Sequence, residues 1–121
     1  MQVGDEGLAI CYDGGNVMDY EHEDPIPDIR QCWSKVRAFA IKDHRYMPKN
    51  QDCGPGFCEL DHYKLLMPVA HTGLDMPLAC ENIFEPIVPR PMEAEAVDAL
   101  ARRAREFLET VVRGIQTANG G

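Results

Sequence analysis

"VRAFAIKDHR", residues 36 to 45, decides how this chain is read. Residues 36 to 43 read as a strand whose Ala38 to Ile41 form a short apolar run suited to burial. The run meets Lys42, Asp43, His44 and Arg45 without a turn residue between. A core strand that ends in four polar or charged residues needs a reason for that charge. In α/β folds, ligands bind where parallel strands end at their carboxyl termini.

Two other stretches repeat the pattern. "LAICYDGGN" (8 to 16) reads as a strand that runs into Asp13 and a Gly-Gly turn, and "MPLACENIF" (76 to 84) as a strand that runs into Glu81 and Asn82. Between them, "DIRQCWSKV" (28 to 36) spaces Ile29, Cys32, Trp33 and Val36 as a helix, with Asp28 as N-cap. "LDHYKLLMPVAHTG" (60 to 73) reads as a helix from Asp61 to a stop at Gly73, shortened or kinked by Pro68. Residues 92 to 116 give the clearest helix, with an apolar stripe of Val97, Leu100, Ala101, Ala104, Leu108, Val111, Val112 and Ile115. "DYEHEDPIP" (19 to 27), "HRYMPKNQDCGPGFCE" (44 to 59) and "EPIVPRP" (85 to 91) read as loops.

The order is strand, helix, strand, helix, strand, helix. Helical crossovers make the strands parallel. Alternation then sorts their residues. Ala9, Cys11, Ala38, Ala40 and Ala79 share a face with Asp13, Lys42 and Glu81, with His44 in the same parity. Leu8, Ile10, Tyr12, Phe39, Ile41, Leu78 and Ile83 face the other way. Small residues on the charged face and large ones toward the helices suit the wall of a barrel better than an open sheet covered on both faces.

Composition bounds the rest. The 121 residues carry a net charge of −8 and are 45% hydrophobic, which suits one globular unit. The acidic balance argues against a general nucleic-acid binder. No apolar run reaches the roughly 20 residues of a membrane span. The five cysteines are scattered; Cys53 and Cys58 are spaced CxxxxC without a second pair to complete a zinc site. The reading is of reduced thiols in a cytoplasmic protein.

In this order, "LAICYDGGNV", "VRAFAIKDHR", "CGPGFCELDHYKLL" and "MPLACENIF" resemble the C-terminal part of the sugar-phosphate isomerase/epimerase family. These are xylose-isomerase-like TIM barrels, grouped with AP endonuclease family 2. The resemblance implies that residues 1–121 form a partial (β/α)8 TIM barrel of about three βα units, strands six to eight, with a long C-terminal helix. Strands one to five would precede Met1, so the chain looks like a fragment or a split gene product. It further implies a divalent metal (Mn, Mg, Zn or Co), and carboxylates that move a proton next to the carbonyl of a sugar or sugar phosphate. Asp13 and Glu81 match the strand-six and strand-eight ligands and are the expected catalytic pair. The strand-seven His position holds Ala40, so His44 or Asn16 would have to substitute. Lys42, Asp43, His44 and Arg45 are the expected substrate contacts.

Plainer readings stand beside these. Asp13 would only form a turn, Glu81 a helix-facing salt bridge, Lys42 and Asp43 pairs with other strand ends, and His44 a solvated loop residue. His62 and His71 read as residues of a helix exterior, and "RRAREF" as a solvated face. The alternative to an isomerase/epimerase is a non-catalytic half-barrel that associates with itself or a partner chain such as the missing N-terminal half. A nuclease role is disfavoured, because neither Asn16 nor Ala40 supplies the histidines that branch needs.

Overall fold

The computed structural model describes residues 9–72 and 76–120. Leu8, Gly73, Leu74 and Asp75 lie outside the described residues. Three parallel strands form the sheet: β1 (Ile10–Tyr12), β2 (Val36–Ile41) and β5 (Leu78–Cys80), in the order β1-β2-β5. β2 is therefore central, flanked by the first and last strands as the sequence predicts. The register pairs Tyr12 with Phe39 and Ile41 with Cys80.

Alternation gives the sheet two unlike faces. Tyr12, Phe39 and Ile41 are buried and meet Ile29, Leu65, Leu66, Leu108, Val111 and Ile115 in one core. Phe39 is the largest fully buried side chain and packs edge-on against Tyr12 at 6.2 Å between ring centroids. The opposite face carries Cys11 and Ala79, both exposed, and Ala38 and Ala40, both half-buried. A parallel sheet normally has both faces covered. Here the described residues cover one.

The helices depart from the sequence reading in informative ways. α1 (Gly14–Glu21) occupies residues read as a Gly-Gly turn and an acidic loop. Asp13 starts it, since its Oδ1 accepts the Asn16 N–H at 2.9 Å. α2 (Pro25–Cys32) begins earlier than expected, capped by Asp24 with Pro25 at the first helical position. Asp28 instead accepts the Tyr12 hydroxyl at 2.8 Å. Burial, then the Asp28 carboxylate, pushes the Tyr12 pKa up.

A single 3-10 turn (Trp33–Lys35) leads into β2. α3 (His62–Ala70) has the predicted Asp61 cap and carries Pro68 within its length. α4 (Ala94–Gly120) is the predicted long helix. Its Ala104, Leu108, Val111 and Ile115 are buried, while Ala101 is exposed. No described helix is long and apolar enough to cross a membrane.

The predicted loop 44 to 59 contains an antiparallel hairpin, β3 (Asp43–Arg45) with β4 (Gln51–Cys53). Beyond it, Cys53 and Cys58 are joined by a disulfide, which corrects the expectation of five free thiols; Cys11, Cys32 and Cys80 are free. Gly54 allows the chain to pass against the segment after β5. A Cβ there would lie 2.7 Å from the Ile83 carbonyl carbon, and Gly54 N–H donates to Phe84 O at 2.8 Å.

Candidate active site

Lys42 is the hub of the strand ends. Its Nζ lies 3.4 Å from Glu81 Oε2, 3.6 Å from Asp13 Oδ2 and 3.6 Å from Asp52 Oδ2. Register explains two of these contacts. Continuing the β2–β5 pairing by one residue sets Lys42 beside Glu81, and Glu81 N–H donates to Ile41 O at 2.9 Å. Continuing β1–β2 in the same way sets Asp13 beside Ala40, one step back on the same face. The lysine stem crosses α1 where Gly15 has no side chain. A Cβ at Gly15 would sit 2.7 Å from Lys42 Cγ.

The two oxygens of Asp13 divide the labour. Oδ1 caps α1, while Oδ2 is buried, has no hydrogen bond and faces Lys42. Burial pushes the Asp13 pKa up, and the α1 cap and Lys42 oppose that without cancelling it. Burial alone would lower the Lys42 pKa, but the carboxylates of Asp13, Asp52 and Glu81 outweigh it, so the pKa is raised. Glu81 is the accessible member, with half of its side chain exposed against 12% for Lys42 and 11% for Asp13.

Asp52 is the member that sequence reasoning missed. It lies in β4, within a polar stretch that carries no motif, and only the hairpin brings it back to Lys42. Its other oxygen holds His44, Nδ1 to Oδ1 at 2.7 Å. His44 Nε2 lies 2.7 Å from Asn50 Oδ1, and Asn50 Nδ2 donates to Asp19 at 3.0 Å. His44 is 1% exposed, so it is not the solvated residue of the plainer reading. Both ring nitrogens are engaged, which leaves neither for a ligand, and the residue positions Asp52.

Asp43 is turned into the protein. Its Oδ1 accepts the N–H of His44 and Leu60 at 2.8 Å each, and its Oδ2 those of Gly56 at 3.1 Å and Cys58 at 3.0 Å. It is 0% exposed. Asp43 therefore shapes the loop beneath the site, and the geometry gives it no face toward a substrate. Arg45 stands opposite Gln51 in the hairpin with its Nε buried and without a hydrogen bond. Among the described residues no ion pair links it to the Lys42 cluster. His62, expected outside, is 2% exposed, with its ring edge-on to Phe107.

The resemblance implies a divalent ion here. Among the described residues no three His, Cys, Asp or Glu side chains gather in a way that could hold one. The space between Asp13 and Glu81 is spanned by an ammonium, and Ala40 has no donor. The donors present among the described residues do not fit the metal.

The class defined by this arrangement is an α/β protein with parallel strands whose charged residues meet at the carboxyl ends. Comparison with known proteins refines it. The chain is similar to a solved xylose isomerase domain protein from Planctomyces limnophilus, with a TM-score of 0.66 and 21% identity. The match covers 92% of this chain and 38% of that one, so the chain spans well under half of that protein's length. The likeness is one of fold. No family model matches the chain, and no curated protein does.

Proposed function

We propose that the chain is part of a xylose-isomerase-like barrel domain, and that the Asp13–Lys42–Glu81 cluster belongs to a centre for proton transfer next to the carbonyl of a sugar or sugar phosphate. The observation that carries this reading is the convergence of two carboxylates, from the first and last strands, on one lysine of the central strand. The likeness in fold supports it.

Each residue has a role in that chemistry. Glu81, the exposed carboxylate, takes the proton from the carbon next to the carbonyl and returns it to the product. The Lys42 ammonium donates a hydrogen bond to the carbonyl oxygen as it gains negative charge. Asp13, fixed by its cap to α1, holds Lys42 in position. Three strands supply only part of such a centre, so the chain alone is expected to turn over no sugar.

The test is a titration of 15N-labelled chain with a ketose phosphate, followed by amide shifts. The expected result is weak binding with perturbations at residues 13 to 16, 42 and 81. Saturable shifts confined to other residues, or none at millimolar ligand, would sink the reading.

Among the described residues the small-residue face is bare and the two sheet edges are unpaired, which favours a second reading, a half-barrel whose role is association. It predicts a species larger than a monomer in light scattering, with no ligand response at the strand ends. A monomer with a sharp cooperative melt would count against it.

A further inference from the structure

We infer that His44 works as a buried imidazolium, with a proton on each ring nitrogen, and that this cation positions Asp52 so that Lys42 stays free to serve the substrate carbonyl. The inference rests on reading the strand ends as the reaction centre, and it adds a positioning residue to that centre.

Donor and acceptor counting carries it. His44 Nδ1 lies 2.7 Å from Asp52 Oδ1, and Nε2 lies 2.7 Å from Asn50 Oδ1. A carboxylate oxygen and an amide oxygen both accept, so each ring nitrogen has to donate, and only the charged ring has two N–H groups. Turning the Asn50 amide round would offer Nε2 a donor instead. Asp19 opposes that turn. Asn50 Nδ2 donates to Asp19 Oδ1 at 3.0 Å, and the turned amide would set oxygen against carboxylate. Asp19 Oδ1 also lies 3.9 Å from His44 Nε2, so the ring stands between two carboxylates. A ring that is 1% exposed needs such partners to carry charge.

The neighbours on each element are consistent with a cation. α1 contributes Asp19, and β4 contributes Asp52. On the ring's own strand, Asp43 accepts the His44 backbone N–H. Tyr46 lies edge-on at 5.2 Å, with His22 beyond it, 5.9 Å from Tyr46. Glu59 meets this segment through the backbone, its N–H donating to His44 O and its carboxylate accepting the Tyr46 N–H. Lys42 lies on the far oxygen of Asp52.

Asp52 is therefore shared by two cations, His44 at 2.7 Å and Lys42 at 3.6 Å. While the ring is charged, the shorter contact holds Asp52 and divides its pull on Lys42. When the ring loses a proton, one of its two bonds loses its donor, the link through Asn50 to α1 opens, and the charge of Asp52 falls on Lys42 alone. The ammonium is then drawn away from the carbonyl it would serve.

The experiment follows the ring nitrogens of His44 by long-range 1H–15N correlation in the labelled 121-residue chain across a pH titration, together with the Asn50 side-chain amide and the Lys42 side-chain signals. The expected result is two protonated nitrogens wherever the Asn50 amide holds its bonded position, with the Asn50 and Lys42 signals moving at the midpoint of the ring. Asp19→Asn, which frees the Asn50 amide to turn, should shift that midpoint to lower pH. A ring with one protonated nitrogen while the Asn50 amide stays bonded overturns the inference. So do Asn50 and Lys42 signals that ignore the ring, or an unmoved midpoint in Asp19→Asn. No sugar enters these spectra. A silent ketose phosphate titration beside a ring that behaves as stated defeats the isomerase reading and leaves the hold of His44 on Asp52 in place.

Discussion

Asp13 Oδ2 and Lys42 Nζ lie 3.6 Å apart on neighbouring parallel strands, and the same aspartate caps the helix that Lys42 crosses. Helix start and charged cluster are therefore one unit, and disturbing either disturbs both. Gly15→Ala tests this. Alanine in place of glycine within a helix stabilises by up to about 1 kcal/mol. The new Cβ would meet Lys42 Cγ at 2.7 Å, and that flexible stem must move. Thermal stability should change little, while the side-chain NMR signals of Lys42 shift. Unchanged Lys42 signals would contradict the packing.

Lys42 also sets an alkaline limit. Its pKa is raised above the usual 10.5 by three carboxylates that outweigh burial. A raised pKa means that the folded state holds the proton more tightly. The stabilisation is fully present below pH 10.5 and is lost as pH rises through the folded value. In urea titrations the difference between the unaltered chain and Lys42→Met should be constant from pH 8 to 10 and should shrink above 10.5. A constant difference to pH 12 would show the coupling to be absent.

His62 sets an acid limit. Burial lowers its pKa below the usual 6.5, against the pull of Asp43, the Leu60 carbonyl and Asp61 and with the help of Arg103. A histidine kept neutral in the fold stabilises above 6.5, and that contribution fades as pH falls through the lower folded value. His62→Phe should flatten the loss of stability as pH falls below 6.5. An identical acid limb in the variant would assign the effect elsewhere.

Asp43→Asn should be among the costliest single changes. Four backbone N–H groups converge on the carboxylate, and an amide has one acceptor oxygen and a donor facing them. The loss should be about 3 kcal/mol or more, read from urea midpoints. A loss under about 1 kcal/mol would mean that the loop holds without it.

Gly54→Ala should cost about 1 to 3 kcal/mol, because the added carbon would overlap backbone rather than a movable side chain. The same measurement decides it, and a neutral result would place the segment after β5 further away.

The sheet was legible because its logic is local. Alternation in 36 to 41 and the charge that follows each strand fix which face is which, and all three strands share the pattern. α1 was hidden because Gly14 and Gly15 are poor helix formers and usual turn formers; the cap from Asp13 and the space needed by Lys42 decide otherwise. Asp43 and His44 looked like site residues because they follow the strand. Their true partners are Gly56, Cys58 and Leu60 for one, and Asn50 and Asp52 for the other. Those contacts depend on where a hairpin returns, which spacing alone does not state. His62 was misplaced because α3 packs against α4 as well, so a position off the main stripe is covered by Phe107.

The strands at the margins, Ile10–Tyr12 and Leu78–Cys80, are three residues each. Short edges offer an incoming strand few free N–H and C=O groups, so they are weak templates for fibril growth. A partner of the proposed kind would be recognised by the shape of its side chains against Cys11, Ala38, Ala40 and Ala79, since generic strand addition gains little here. Incubated alone, the chain should form finite assemblies and give no thioflavin-positive fibres. Fibres growing at micromolar concentration would show that backbone pairing governs its association after all.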